Sequence, residues 1–458
     1  MNKKTRIQKI EDILKQKPIG NKKIKWKDDS VYMNIYKIPL DYLIYNKYNG
    51  RILSRTKSLE SHGKEISTET KEGKLLIEKL LWDSKPDRNK RTKEDIESKG
   101  QLNPGITTKD GIIVDGNRRA MLLNKIDKFD YFEAIILPVT LEENPIEIEK
   151  LETSFQMGED EKLGYNPIEK YLKSKNLKQK GVSVKDIADW MGEKKSIIEL
   201  WLSIMETMDN YLDYLKYNGV YTQLDGREDH FISLTKWVKI FYGAETPKGF
   251  TGYKNIDVND LETIAFDYIR IKFEGKEFRK MAEGLQPNHF FGNKQIWESF
   301  RDKHFENIES IYDKEDNINL DSENLTAYLN SRDDKFKDKA QKLLKDNFDV
   351  HITKLKNQQS KDEPVKLINR AIDNISAINK RSENFKKPEV LNQVEQLNQI
   401  TTEMLQKESP KKVLKQILDL ILEVEIKKNF KDKSKLLEYI KSIEKEAYQL
   451  EKKIKNLK

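Results

Sequence analysis

The spacing of apolar residues changes several times along the chain. Ile7, Ile10, Ile13 and Leu14 follow a helical period inside a Lys-rich opening, which predicts a short helix and then a mobile basic arm over 1–30. From Val31 the texture is mixed. VYMNIYKIPLDYLIYN (31–46) reads as a strand, a turn at Pro39 and a buried segment; SLESHGKEISTETKEGKLLIEKL (58–80) reads as a helix with an insertion. TKEDIESKG (92–100) reads as a helix closed by Gly100, because glycine adopts the left-handed conformation that satisfies the last carbonyls. GIIVDG (111–116) predicts a short buried strand and RRAMLLNKI (118–126) a return to helix. From Asn144 to about Tyr214 the period is helical, with Asn166-Pro167 marking a helix start. Helices and Gly-containing turns then alternate to about Ile311.

The clearest periodicity comes last. Leu436, Ile440, Ile443, Ala447, Leu450, Ile454 and Leu457 alternate steps of four and three, and Val390, Val394, Leu397, Thr401 and Met404 repeat that spacing before Pro410. Such a seam predicts a coiled coil that joins two protomers or recruits a protein partner. The expected organisation is a basic N-terminal arm over 1–30, an α+β domain over 31–143 and a helical region over 144–214. A helical middle domain over 215–330 and a helical, coiled-coil C-terminal region over 331–458 follow.

Composition narrows the classes. Charged residues make up 35% of the 458 and hydrophobic residues 36%, against about 25% charged in an ordinary globular chain. That balance suits long solvated helices and excludes a compact all-β protein. Lys plus Arg exceeds Asp plus Glu by 85 − 77, a net charge of +8 with the signs interspersed. No apolar run reaches the roughly 18 residues of a membrane span, and the opening lacks the apolar core of a secretory signal. Cysteine is absent, which excludes disulfides, thiolate metal sites and cysteine nucleophiles. A cytoplasmic protein is the expectation.

Candidate chemistry concentrates in GIIVDGNRRAMLLNKI (111–126). A strand ending at Val114, a turn at Asp115-Gly116 and a helix opening at about Asn117 place unpaired backbone N–H groups at a helix start, where an anion is favoured. Gly116 permits close approach, and Arg118 and Arg119 add forked donors suited to phosphate. The competing reading is a surface turn whose arginines pair with nearby acids. The five histidines, His62, His230, His289, His304 and His351, show no metal-ligand spacing. REDHF (227–231) and FDYIR (266–270) read as buried ion pairs, and EGLQPNHFFGNKQIW (283–297) as middle-domain core. No Walker-type loop is present, which excludes a P-loop ATPase.

QLNPGITTKDGIIVDGNRRAMLLNKI, preceded by TKEDIESKG and KIPLDYLIYNKYNGRI, resembles the N-terminal domain of the ParB/sulfiredoxin superfamily over about 31–141, and less tightly to about 215. Gly116 and Arg119 match the turn shared across the superfamily, and Arg118 matches the extra arginine of the ParB branch. Met121 stands where ParB proteins carry a further arginine. Thr153, Ser154 and Met157 are read at the positions of their Glu-Asn-x-x-Arg motif. The resemblance implies an α+β ParB/sulfiredoxin-like domain that binds a nucleoside triphosphate, CTP or ATP, through Asp115, Gly116, Asn117, Arg118 and Arg119. Mg²⁺ would sit on Glu159, Asp160 and Glu161 or on Glu152. Sulfiredoxin chemistry needs a cysteine and is excluded.

YNPIEKYL (165–172) fits the helix that leads, in the ParB pattern, into a helix-turn-helix. VSVKDIADWMGEKKSIIELWLSIM (182–205) follows with Ala188 at the helix crossing and Gly192 at the turn; Ile187, Met191, Ile198 and Trp201 form the apolar set. Lys194, Lys195, Ser196 and Glu199 would face double-stranded DNA. The function implied is nucleotide-gated DNA binding, with any hydrolysis slow and regulatory. Two alternatives stand beside it. One is an NTP-hydrolysing effector or sensor subunit of an anti-phage or mobile-element system, favoured by Asp-Gly-x-x-Arg at 115–119. The other is a scaffold with a degenerate nucleotide pocket.

Overall fold

The computed structural model describes residues 1–61, 63–159, 166–311, 325–359, 363–406, 410–422, 424 and 432–456. The elements of the N-terminal part are α1 (Lys3–Leu14), β1 (Gly20–Trp26), β2 (Asp29–Pro39), α2 (Leu53–Glu60), α3 (Lys71–Ser84), α4 (Pro86–Lys99), β3 (Gly105–Thr107), β4 (Ile113–Asp115), α5 (Asn117–Leu123), β5 (Tyr131–Ile136) and α6 (Pro145–Thr153), the last running into a π-helical turn at Ser154–Glu159. One five-stranded sheet has the order β1-β2-β5-β3-β4, antiparallel except for the parallel β3–β5 pair. Strand alternation sends β5 side chains to two cores. Phe132, Ala134 and Ile136 pack with residues of α1, α3 and α5, while Ile135 and the following Leu137 pack with Ile24, Trp26, Ile148 and Leu151.

The opening stretch differs from expectation. Residues 20–26 form a strand of the sheet, with Ile24 and Trp26 buried, rather than a mobile arm. Helix α1 is pinned as well: the buried Arg6 donates from Nε to the Asp110 carbonyl at 2.6 Å and pairs with Glu69 at 2.7 Å. Only Ile24 and Trp26 alternate with exposed lysines, and Lys22 stands on their side of the strand, so the two-residue period is too short to read in the sequence.

Helices follow: α7 (Pro167–Gln179), α8 (Val184–Met191), α9 (Lys195–Tyr214), α10 (Glu228–Phe241), α11 (Asn255–Arg270), α12 (Gly275–Phe278), α13 (Lys294–Glu309) and α14 (Leu325–Gln359). Asn166 caps α7 by accepting from the Ile168 N–H, as its Asn-Pro start predicts. The expected boundaries at 214/215 and 330/331 do not separate cores. Ile168, Tyr171 and Leu172 of α7 share one apolar cluster with α9–α11, α13, and Leu329, Phe336, Ala340, Leu344 and Phe348 of α14. Asp333 of α14 meets Arg227 at 3.1 Å and Arg270 at 2.9 Å, so the acid-rich motifs around these arginines do serve buried ion pairs. The compact unit ends at Glu363. Phe290, Phe291 and Trp297 are core residues, as expected.

The second unit, Pro364–Lys458, contains most of α15 (Glu363–Ser376), then α16 (Pro388–Gln406), α17 (Pro410–Leu422) and α18 (Lys433–Lys455). No residue of α18 is buried, and Ile440, Ile443, Leu450 and Ile454 of the seam are exposed. Leu457 lies outside the described residues. The helices of the expected coiled coil are present, while the coiled coil itself is not formed among the described residues of the chain.

Candidate functional site

The strand–turn–helix corner forms as its sequence predicts. β4 ends at Asp115, Gly116 takes φ +99°, and α5 opens at Asn117. A Cβ at Gly116 would lie 2.7 Å from the Phe132 ring, so both the left-handed backbone and the close packing require glycine there. Helix α5 has only seven residues, too few for a large dipole, so the positive field of this corner comes chiefly from side chains.

Beside the corner lies a concavity of about 400 Å³. Among the described residues, Lys22, Arg51, Arg88, Arg118 and Arg119 line it, with Asp115 as the one lining carboxylate. The two neighbouring arginines diverge. Arg119 pairs with Asp115 at 2.5 Å and also donates to the Asn103 and Pro104 carbonyls. Arg118 instead donates to Asn89 Oδ1 and, at 3.4 Å, to Thr92 Oγ1 of α4. The surface-turn reading therefore describes Arg119 in part, and the described lining of the cavity is rich in basic side chains. Asn117 lines the cavity with its amide committed: Oδ1 accepts from the Asn46 N–H at 2.9 Å and Nδ2 donates to the Ile113 carbonyl at 3.1 Å.

Behind the cavity runs a buried polar chain. Gln156, also on the cavity wall, accepts from the Gly50 N–H and donates to Glu152 at 3.1 Å. Asn46 donates to the same Glu152 oxygen at 3.1 Å. On the other side, Lys173 of α7 reaches Glu152 at 3.3 Å and Glu149 at 3.2 Å, and Lys180 closes on Glu149. Burial opposes the Lys173 charge, but the two carboxylates outweigh it and hold the ammonium above its ordinary pKa. Burial raises the Glu152 carboxyl, against Lys173. Glu149 is lowered: Lys173 and Lys180 overcome the opposing burial. The buried Lys173 ammonium and the exposed Lys180 thus meet two buried carboxylates. Glu152 and Gln156, four residues apart and so on one helical face, are what α6 and the π turn bring to the site. Thr153 is fully buried. The signal available in the sequence was that i, i+4 spacing.

The described residues beside the cavity offer Mg²⁺ little. Glu152 is engaged by Lys173, Asn46 and Gln156, and Asp115 by Arg119. Asp160 and Glu161 lie outside the described residues, as does the side chain of Glu159. Among the described residues no group of three acidic or histidine side chains is placed to hold a metal. His62 also lies outside them.

Helices α8 and α9 are joined by a short turn at the predicted position. Gly192 ends α8 at φ +70°, and Ile187, Ala188, Met191 and Ile198 close a small core with Leu177 and Val182. Trp201 packs at its edge, partly buried. Lys194, Lys195, Ser196 and Glu199 are exposed at and after the turn, with Lys195 and Glu199 paired at 3.5 Å. No described helix is long and apolar enough to cross a membrane.

The chain matches no protein-family model, and no curated protein matches it significantly. Among solved structures it is similar to the C-terminally truncated chromosome-partitioning protein ParB from Caulobacter crescentus complexed to the centromeric parS site. The identity is 14% and the TM-score 0.28, over 54% of this chain and 97% of that one. It is also similar to the same truncated protein complexed with CTP-gamma-S, at 15% identity and TM-score 0.17, over 44% of this chain and 92% of that one. Similarity at this level identifies no family. What the fold and site define is an α+β domain with a cationic strand–turn–helix cavity, joined through a buried ionic cluster to a helical region.

Proposed function

We propose that this protein binds a nucleoside triphosphate in the cavity beside Gly116 and that occupancy gates its association with double-stranded DNA. The observation that carries the reading is a concavity beside Gly116 whose described lining includes Lys22, Arg51, Arg88, Arg118 and Arg119. Side chains of this kind give a polyanion charge-assisted hydrogen bonds. Arg118 and Arg119 are the phosphate ligands, and Gly116 lets the ligand approach the backbone. The motif resemblance to ParB proteins supports the same assignment. No step of the reading passes through a metal.

Gating follows from connection. Asn117 and Gln156 on the cavity wall lead through Asn46 and Glu152 to Lys173 of α7. Helix α7 supplies Leu177 to the core of the α8–α9 pair. A ligand that prefers one arrangement of this chain of contacts shifts the population of the helix pair accordingly. Lys194 and Lys195 would contact DNA phosphates, which position a protein without reading sequence.

The test is equilibrium binding of labelled cytidine and adenosine triphosphates, with and without Mg²⁺ and duplex DNA. Binding lost in Arg119→Ala, together with DNA retention that changes on adding nucleotide, is the expected result. Fast turnover would instead place the protein among NTP-hydrolysing effectors. Absence of binding to any nucleotide would leave a scaffold and refute the proposal.

A further inference from the structure

Apart from Lys22 on the cavity wall, the Lys-rich opening of the chain has no part in the function proposed above. Between Asp12 and Asp28 the sequence carries six lysines and no acid. β1 makes this stretch one half of a two-stranded ribbon with the first part of β2, and strand alternation sorts the side chains onto two faces. Lys22, Ile24 and Trp26 share one face with Val31, Met33 and Ile35, where Ile24 and Trp26 pack with Ile148 and Leu151 of α6. The other face holds Asn21, Lys23 and Lys25 across from Asn34, Tyr32 and Ser30. Further along β2 that face is covered by α1, whose Ile10 and Ile13 share a core with Tyr36 and Ile38. The cover ends there, and all six residues before it are exposed.

Charge and chemistry decide what this open face fits. Its six side chains are two ammoniums and four neutral polar groups, with no carboxylate among them. The acids of the connecting turn are directed elsewhere: Asp28 is held by Lys150 at 2.6 Å, and Asp29, opposite Trp26, belongs to the covered face. Tyr32 is 72% exposed, with the Lys23 ammonium 6.0 Å from its ring centroid. A free aromatic ring beside ammoniums meets both halves of a nucleotide, since a base stacks on the ring while its phosphate pairs with lysine. Only unpaired bases are open to such stacking; a duplex keeps them inside. We infer that this ribbon face binds single-stranded nucleic acid, with Lys23 and Lys25 on the phosphates and Tyr32 against a base. Asn21, Ser30 and Asn34 add neutral donors around the ring. The face shares no residue with the cavity lining or with the turn after α8, so it is independent of the nucleotide and duplex readings.

The experiment follows the fluorescence anisotropy of a labelled oligothymidylate, and of a duplex of equal length, on titration with the full chain across a series of salt concentrations. Wild type is compared with the double variant Lys23→Ala/Lys25→Ala, with Tyr32→Ala and Tyr32→Phe, and with Lys194→Ala. Each of these positions is exposed, so the fold tolerates the changes. Removing both lysines should flatten the fall of log affinity with log salt by about 0.7 per lysine on the single strand. Tyr32→Ala should weaken oligothymidylate binding about five- to hundredfold, the range for losing one stacked base, whereas Tyr32→Phe keeps the ring and should stay within about twofold of wild type. Lys194→Ala should leave oligothymidylate binding unchanged. Absence of oligothymidylate binding, a salt slope unaltered in the double variant, or a Tyr32→Ala variant that binds as wild type overturns the inference. Duplex binding that falls as far as single-strand binding in Tyr32→Ala overturns it too, because the ring would then not be reading an unpaired base.

Discussion

Replacing Lys173 by methionine removes the one ammonium shared by Glu149 and Glu152 while keeping the length of the side chain. At an effective dielectric of about 20, each contact near 3.2 Å is worth about 5 kcal/mol of attraction, largely offset by the desolvation of the three groups. What remains after the substitution decides the outcome. Glu149 keeps Lys180, whereas Glu152 keeps only neutral donors from Asn46 and Gln156. Glu152 can escape by taking a proton. Protonating a carboxyl of ordinary pKa 4.5 at pH 7 costs about 3 kcal/mol. The expected loss is therefore about 3 kcal/mol at pH 7, within the usual range for breaking a buried pair. The Glu152 pKa would be raised in the folded variant, so the loss should shrink by about 1.4 kcal/mol per pH unit on acidification towards 4.5. Urea unfolding of the full chain, followed by tryptophan fluorescence, measures it. Adding Glu152→Gln removes the stranded charge and should recover most of the stability. That double variant should still bind nucleotide while its DNA retention no longer responds to it. A loss under about 1 kcal/mol, a loss independent of pH, or a double variant no more stable than the single one would refute the account of this cluster.

Three further outcomes are expected. Burial pushes the Glu169 carboxyl up to about 7, against two hydrogen bonds from Ser54 and the nearby Arg55. The folded state then binds the proton more tightly than the unfolded state, so stability should fall by about 3 kcal/mol as pH rises from 4.5 to 7 and level off above; Glu169→Gln should flatten that slope in pH-dependent urea melts. Asp333→Ala leaves Arg227 and Arg270 buried without their shared carboxylate and should cost about 3–5 kcal/mol by the same assay; a cost near zero would mean that α14 is not tied to the helical core by this triad. Retention on duplex DNA should weaken steeply with salt, and Lys194→Ala or Lys195→Ala should each lower the salt slope by about one; salt-independent retention would count against the exposed turn after α8 as the DNA face.

Local signals carried the site turn. Asp115-Gly116 at the end of a short apolar strand, with paired arginines at the start of a helix, marks strand, left-handed turn and helix without reference to the rest of the chain, and the structure has all three. The same holds for the Gly100 and Gly192 helix ends and for the Asn166 cap, where backbone geometry demands particular residue types. The partners of those residues were not legible. Arg118 meets Asn89 and Thr92 from 29 and 26 positions away, and Lys173 meets Glu149 and Glu152 from 24 and 21 away. Neither pairing is implied by local period.

The long α14 shows the limit most plainly. Its Leu329, Phe336, Ala340, Leu344 and Phe348 are spaced by seven and then by fours, which marks one apolar helix face without saying what covers it. That face packs into the shared apolar core, where Arg227, just before α10, and Arg270 of α11 meet Asp333. Sequence by itself determined where the backbone must turn and which faces are apolar, since those follow from single residues and their periods. Tertiary structure decided which apolar face meets which, and whether a charged side chain faces water, a buried counter-charge or an open cavity. Those outcomes depend on desolvation and on groups distant along the chain.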